Sequence, residues 1–182
     1  VLLAVMAGMY AVYHGPEGLR AIARRVHALA GTLSLGLRRM GFTVGPWPYF
    51  DTLRVHLVQG RAAQVLQAAR ERGLNLRDLG DGSLGIALDE AKHARDVADL
   101  LEAFGAAPDS IDVERLAGEA ELEIPAPFAR RSGFLTHPVF NSFHAEHEML
   151  RYIRRLEARD LSLTTSMIPL GSCTMKLNAT TE

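Results

Sequence analysis

One long apolar stripe constrains the fold of this chain more than any other feature. Gly15-Pro16-Glu17 precedes it, and proline followed by an acid is typical of a helix start, because proline lacks the N–H that would be unpaired there. Gly41 can adopt the left-handed conformation that ends a helix. The apolar residues between them recur mainly at spacings of three and four: Leu19, Ile22, Ala23, Val26, Ala30, Leu33, Leu37 and Met40. We therefore predict one long amphipathic helix from Pro16 to Met40.

The first thirteen residues, VLLAVMAGMYAVY, carry no charge. They are too few to cross a bilayer, which takes about 20 apolar residues, and they lack the basic region that begins a signal peptide. We interpret them as a buried helix whose beginning lies outside this sequence. The final LNATTE likewise resembles the opening of a helix. We therefore expect the chain to be a fragment of a longer protein, with no membrane partner.

Residues 42–105 alternate between the strand and helix periods. Leu53, Val55 and Leu57 alternate with polar residues, which predicts a half-buried strand. Residues 61–72 have the helical period, and Gly80-Asp81-Gly82-Ser83 predicts a hairpin turn between strands at 74–79 and 84–88. Asp89 then predicts the cap of a helix that ends at Gly105. This order indicates an α/β chain of the α+β kind, an antiparallel sheet covered by helices.

The rest of the chain divides at a connector. Residues 106–135 hold three prolines among acids and one short turn near Val113, which is typical of a segment crossing a surface. Asn141 or Ser142 could cap a following helix whose apolar stripe is Met149, Leu150, Ile153 and Leu156. We predict a long helix region at 1–41, a small α+β domain at 42–105, a linker at 106–135 and the start of another domain at 136–182.

Composition excludes some classes of protein. The formal net charge is −1, and the 18 arginines and 2 lysines are scattered, which argues against a nucleic-acid partner. The single cysteine, Cys173, permits no internal disulfide, and this favours a reducing compartment.

Three histidines lie close together at His137, His144 and His147, with acids beside them. A zinc-binding pair on a helix is usually four residues apart, as in H-E-x-x-H, whereas His144 and His147 are three apart. We therefore predict no metal and interpret these two as part of a solvated helix start or as residues that support a neighbouring site. His137 precedes Pro138 in a loop, where side chains often bind ligands, so it is the stronger site candidate.

The segment MIPLGSCTMKLN concentrates reactive groups between Gly171 and Lys176. Cys173 could be a nucleophile or simply a small, partly buried thiol. Lys176 could form a Schiff base or bind an anion. Gly171, Ser172 and Thr174 ahead of a helix could form an anion cradle or an ordinary tight turn, and the segment is not a Walker A loop.

Three segments carry a family resemblance. SMIPLGSCTMKLNAT and HPVFNSFHAEHEMLRYIRRLEARDLSL resemble the P-protein family of the glycine cleavage system, and MYAVYHGPEGLRAIARRVHALAGTLSLGL resembles the long helix of that family's N-terminal half. One departure is visible, because Ala145-Glu146-His147 stands where the family commonly has Ser-Glu-Thr. The resemblance therefore implies no role for Ala145 or His147.

The resemblance implies a pyridoxal-phosphate-dependent glycine dehydrogenase (decarboxylating) built from two halves of the fold-type-I, aminotransferase-like kind. The cofactor acts as an electron sink while glycine loses CO2, and the aminomethyl group passes to the lipoyl arm of H-protein. The lysine that holds the cofactor lies further downstream in the family, so we expect no catalytic residue in this segment and no activity from it alone.

The resemblance also implies where ligands bind. We expect Ser172, Cys173, Thr174 and Lys176 to line the cofactor pocket, and His137 and Asn141 to bind substrate. The expected location is the bacterial cytoplasm or the mitochondrial matrix, and the expected assembly is a homodimer. The alternative is a non-catalytic interaction module, one subunit of a split, heterotetrameric P-protein.

Overall fold

The computed structural model describes residues 1–159, so the predictions that concern residues 160–182 lie outside the described residues. The described helices are α1 (Leu2–Arg39), α2 (Arg61–Glu71), α3 (Ala94–Ala103), α4 (Val113–Glu119) and α5 (Glu146–Glu157). The strands are β1 (Thr43–Val44), β2 (Thr52–His56), β3 (Arg77–Asp78) and β4 (Ser83–Ala87), and Pro108–Ser110 and Pro138–Asn141 form short 3-10 helices. The chain divides into two compact units, residues 20–132 and residues 1–19 with 133–182.

The unit of residues 20–132 contains a four-stranded antiparallel sheet in the order β1-β2-β4-β3. In the central pair, Leu53 lies opposite Ile86 and Val55 opposite Leu84. All four of these side chains are buried, whereas the residues between them are more accessible, so one face of the sheet forms the core. The predicted α+β arrangement is confirmed, and the alternation of Leu53 and Val55 with polar residues was the correct signal.

The core is built from helices packed on this face. Leu33 and Leu37 of α1, Val97 of α3 and Phe104 after α3 are all buried in one cluster with the strand residues. Gly36 permits close packing of α1, because a Cβ there would lie 2.8 Å from Leu101 Cδ2. The apolar stripe predicted from the sequence thus matches the buried face of α1 within the unit of residues 20–132.

The hairpin between β3 and β4 is closed by a polar network. The Ser83 hydroxyl donates to Asp81 Oδ1 at 2.5 Å, and Arg54 Nε donates to Ser83 Oγ at 2.9 Å. The hydrogen bond from Ser83, assisted by the Arg54 guanidinium, holds the pKa of Asp81 below the usual range of a carboxyl. This network satisfies the buried hydroxyl of Ser83 and holds the predicted turn.

The start of α3 differs from the prediction. Asp89 does not cap this helix; its Oδ1 accepts from the backbone N–H of Ala91 at 2.9 Å and closes a turn. The helix begins at Ala94, where Asp96 Oδ2 accepts from the His93 N–H at 2.7 Å. An aspartate favours a turn two residues on as readily as a helix cap, which is why the sequence was ambiguous.

The segment predicted as a connector contains more structure than expected. The short turn predicted near Val113 is the seven-residue helix α4, capped by Asp112, whose Oδ1 accepts from the Arg115 N–H at 2.9 Å. Leu116 of this helix is buried in the core, and Glu119 pairs with Arg39 and Arg115. Residues 106–119 therefore belong to the packed unit of residues 20–132, while the domain boundaries given above stay a prediction.

The first part of α1 is helical as predicted, but the prediction that it is buried was wrong. Leu2, Leu3, Val5 and Met6 are between 50% and 79% exposed, because no element within residues 1–159 covers them. Gly15 interrupts α1 with φ 62° and ψ −177°, so a helical segment does start at Pro16. No helix of the described residues combines the length and the apolar character needed to cross a membrane.

Candidate functional site

The predicted substrate residues His137 and Asn141 lie together in one short loop of the unit that comprises residues 1–19 and 133–182. His137 precedes the 3-10 helix Pro138–Asn141, and Asn141 ends it. The Asn141 side-chain amide donates to the carbonyl oxygen of His137 at 3.1 Å. The same Nδ2 donates to the carbonyl oxygen of Leu135 at 3.0 Å. Asn141 therefore fastens the chain on the N-terminal side of this loop.

The ring of His137 is held in one tautomer. Its Nδ1 accepts from the backbone N–H of Val139 at 3.2 Å. Because a backbone N–H can only donate, Nδ1 carries the lone pair and the ring proton lies on Nε2. The side chain is exposed, so this proton is accessible to a ligand.

Leu135 is strained at the entry to the loop. Its φ of 51° is in the left-handed region, where an L side chain costs roughly 1–2 kcal/mol. The two hydrogen bonds from Asn141 contribute about 0.5–1.5 kcal/mol each and offset this strain. Nothing in the sequence marks Leu135, because leucine has no preference for this conformation.

A second histidine binds the loop to the first helix. His144 Nδ1 lies 2.7 Å from the carbonyl oxygen of Tyr13, and since that oxygen only accepts, Nδ1 carries the proton. Gly15 lies beneath the loop, where an added Cβ would be 2.6 Å from the Phe140 carbonyl oxygen. Sequence reasoning identified Gly15 only as part of a helix start and did not detect this close approach.

His137 and His144 serve as hydrogen-bonding groups of the loop. His137 and His144 use their Nδ1 atoms for backbone partners. Among residues 1–159, no group of three or more histidine, cysteine, aspartate or glutamate side chains is arranged to hold a metal ion.

The helix after the loop begins later than predicted. Neither Asn141 nor Ser142 caps it, because the Ser142 hydroxyl donates to the Pro138 carbonyl oxygen at 2.6 Å and Asn141 is engaged as described. Ala145 occupies the cap position of α5, and Glu148 Oε2 accepts from its N–H at 3.2 Å. A capping box needs both bonds, and alanine has no side-chain oxygen to supply the second.

The apolar stripe predicted for α5 is not a buried face in the described structure. Leu150 is 66% exposed and Ile153 is 44% exposed, and no residue of α5 is buried. The helix instead packs through Tyr152, whose ring stacks on Phe143 with centroids 4.4 Å apart. Arg155 lies over both rings, at 5.3 Å from Phe143 and 5.4 Å from Tyr152, a cation–π arrangement.

We expect Ala145→Ser to stabilise the start of α5 by about 1 kcal/mol, because the serine oxygen completes the capping box. The extended backbone of Ala145, with φ −107° and ψ 150°, already suits a cap. Hydrogen exchange of amides in the first turn of α5 should slow about fivefold. Ala158→Ser, the same change at the other end of the helix, is the control and should leave those rates unchanged. Equal effects of the two substitutions would contradict the capping role.

The predicted cofactor residues Ser172, Cys173, Thr174 and Lys176 lie outside the described residues. The lysine within the described part of the chain, Lys92, lies in the turn before α3, with its Nζ 3.6 Å from Asp89 Oδ1. This partly exposed amine paired with a carboxylate lacks the apolar setting that a Schiff-base lysine needs.

Comparison with known proteins identifies the family. Residues 1–104 match the family model "Glycine cleavage system P-protein". The whole chain is 50% identical to glycine dehydrogenase (decarboxylating) of Nostoc punctiforme, of which it covers 19%. It is 51% identical to the mitochondrial protein of that name from Pisum sativum, covering 17%, and 52% identical to that of Stenotrophomonas maltophilia, covering 18%. The chain thus spans less than a fifth of the length of these relatives. The predicted resemblance is confirmed, and the chain belongs to the glycine cleavage system P-protein family.

Proposed function

We propose that this chain is part of a longer glycine dehydrogenase (decarboxylating) that works in the glycine cleavage system. The enzyme releases CO2 from glycine and passes the remaining aminomethyl group to the lipoyl arm of H-protein. The observation that carries the proposal is the identity of 50–52% to enzymes of that name, which extends over the whole chain. The catalytic assembly is proposed to be a homodimer.

The fold supports a more detailed placement. An antiparallel sheet with helices packed on one face is the expected form of the small domain in a fold-type-I enzyme. We assign residues 42–105 to the small domain of the first half, 106–135 to a linker and 136–182 to the start of the second half. Residues 1–41 form the long helix region that precedes the small domain.

Pyridoxal 5′-phosphate is the proposed cofactor, and when bound it supplies the electron sink for loss of CO2. Lys92 does not fit covalent attachment because it is paired with Asp89 in a solvated turn. Ser172, Cys173, Thr174 and Lys176 are proposed to line the cofactor pocket. Their hydroxyl and ammonium groups would donate to the phosphate or to the substrate carboxylate. His137 and Asn141 are proposed to serve the substrate side of the same site.

The test uses the full-length protein that contains this chain. Purified with pyridoxal phosphate, it should release labelled CO2 from carboxyl-labelled glycine when lipoylated H-protein is added. Alanine labelled in the same position is the control and should release little. Absence of release from glycine by the full-length protein would overturn the proposed activity.

Lys176→Ala should raise the KM for glycine, or the pyridoxal phosphate concentration needed for half-saturation, on the order of tenfold. The reason is the loss of one charge-assisted hydrogen bond, which contributes about 1.5–3 kcal/mol. Lys92→Ala is the matched control and should leave both constants unchanged, since Lys92 lies in a solvated turn. If Lys176→Ala keeps the original kinetics and cofactor content, Lys176 has no place in the pocket.

A further inference from the structure

We propose that Asn141 is a positioning residue, which holds the His137 ring so that its Nε2–H donates to the carboxylate of the substrate. This inference rests on the proposed function, since it assigns separate roles to two residues of that site. His137 contacts the ligand, and Asn141 acts through His137.

The amide of Asn141 is committed to the protein. Its nitrogen has two hydrogens, and it donates to the carbonyl oxygens of Leu135 and His137 at 3.0 and 3.1 Å. These bonds span six and four residues of chain, respectively, and fix the strained turn at Leu135, whose φ is 51°. Asn141 therefore has no donor left for an anionic ligand.

His137 is constrained at three points. Its carbonyl oxygen is held by Asn141, its Nδ1 is held by the Val139 N–H, and its backbone before Pro138 is extended, with φ −64° and ψ 140°. Since Nδ1 accepts, the remaining ring nitrogen carries a proton, and the His137 residue is exposed. A strained loop residue supported by its surroundings is a common sign of a preorganised site.

The chemistry of this nitrogen selects the ligand group. A neutral Nε2–H can only donate, so it recognises an oxygen acceptor and not the substrate's amine. Of the two ends of an amino acid, the carboxylate is therefore its partner. A neutral donor holds a carboxylate less firmly than a guanidinium does, which suits a group that must leave as uncharged CO2.

Two substitutions separate the roles of the two ring nitrogens in the full-length enzyme. His137→Asn keeps an acceptor near the position of Nδ1 and removes the distal donor. His137→Gln keeps a distal N–H and removes the acceptor for Val139. Calorimetry would measure the dissociation constants of glycine and of methylamine, which has the amine but no carboxylate.

We expect His137→Asn to weaken glycine binding on the order of tenfold and to leave methylamine binding unchanged. His137→Gln should retain more glycine affinity than His137→Asn. Unchanged glycine binding in His137→Asn, or equal losses for glycine and methylamine, would overturn the assignment of the carboxylate to Nε2.

Asn141→Asp tests the positioning role, because aspartate has the same shape but cannot donate. It should weaken glycine binding selectively and speed hydrogen exchange in residues 135–141. The double variant with His137→Asn should bind glycine no more weakly than His137→Asn alone, because Asn141 acts through the ring. Additive losses in the double variant would show an independent role for Asn141 and overturn the proposal.

These outcomes are distinguishable from failure of the proposed function. If the unsubstituted enzyme neither binds nor decarboxylates glycine, both the proposed function and the role proposed for Asn141 are overturned. If that enzyme is active and His137→Asn binds glycine normally, only the present inference falls.

Discussion

Replacing Phe104 with alanine is expected to lower the free energy of unfolding of the unit of residues 20–132 by about 3–5 kcal/mol. Phe104 is 1% exposed and is the largest fully buried side chain within residues 1–159. Its ring meets the ring of Phe42 edge to face, with centroids 5.2 Å apart. Truncation removes this aromatic contact as well as apolar burial, and it leaves a cavity that a close-packed core cannot fill completely.

The measurement can use the single tryptophan of the chain. Trp47 lies in the same unit and is 46% exposed, so its fluorescence should report urea unfolding of that unit. Phe128→Ala is the matched control, because Phe128 belongs to the same unit but is 68% exposed. It should change the free energy of unfolding by no more than about 0.5 kcal/mol. Similar losses for both variants would mean that the core does not depend on Phe104 as described.

Much of the sheet and its helices could be predicted because strand β2 and helix α1 each bury one face in this unit. The alternation of Leu53 and Val55 with polar residues marked β2, and the stripe through Leu33 and Leu37 marked the buried face of α1. Strand β1 was missed because it is only two residues long, and its pairing opposite His56 and Val55 is set by the tertiary fold. Such short edge strands have no period for a sequence pattern to reveal.

The candidate site was harder to predict because its geometry depends on backbone partners. His137 was correctly placed in a loop, but Asn141 was interpreted as a possible helix cap, whereas its amide binds the carbonyl oxygens of Leu135 and His137. The left-handed Leu135 has no residue-type signal. The contact between His144 and Tyr13 spans 131 residues, and local sequence reasoning has no access to it.

The apolar stripe predicted for α5 lies on one face of the helix, but the described residues do not bury that face. Helical periodicity shows which side chains share a face, but it does not show what covers that face. Leu150 and Ile153 share a face of α5 and are both exposed in the described part of the chain, while Tyr152 on another side makes the stacking contact with Phe143.

Gly15→Ala is expected to destabilise the unit of residues 1–19 and 133–182 by about 2–5 kcal/mol. The backbone of Gly15, with φ 62° and ψ −177°, lies in a region that is essentially restricted to glycine. A Cβ would also lie 2.6 Å from the Phe140 carbonyl oxygen and 2.8 Å from His144 Cε1. The carbonyl belongs to the backbone and cannot rotate away as a flexible side chain could, so the loop carrying His137 must move.

Gly8→Ala is the matched control for this substitution. Gly8 lies in the same helix and the same unit, and its backbone is helical. An added Cβ there meets nothing within 4 Å. Alanine at this position should therefore stabilise the helix by up to about 1 kcal/mol. Hydrogen exchange of amides in residues 138–157 should rise on the order of thirtyfold or more in Gly15→Ala and should not rise in Gly8→Ala. Unchanged hydrogen exchange in Gly15→Ala would mean that the loop does not depend on its close approach to Gly15. The same change, glycine to alanine, is thus expected to have opposite effects on stability at two positions of one helix. The comparison therefore tests the close approach at Gly15 and not helix propensity.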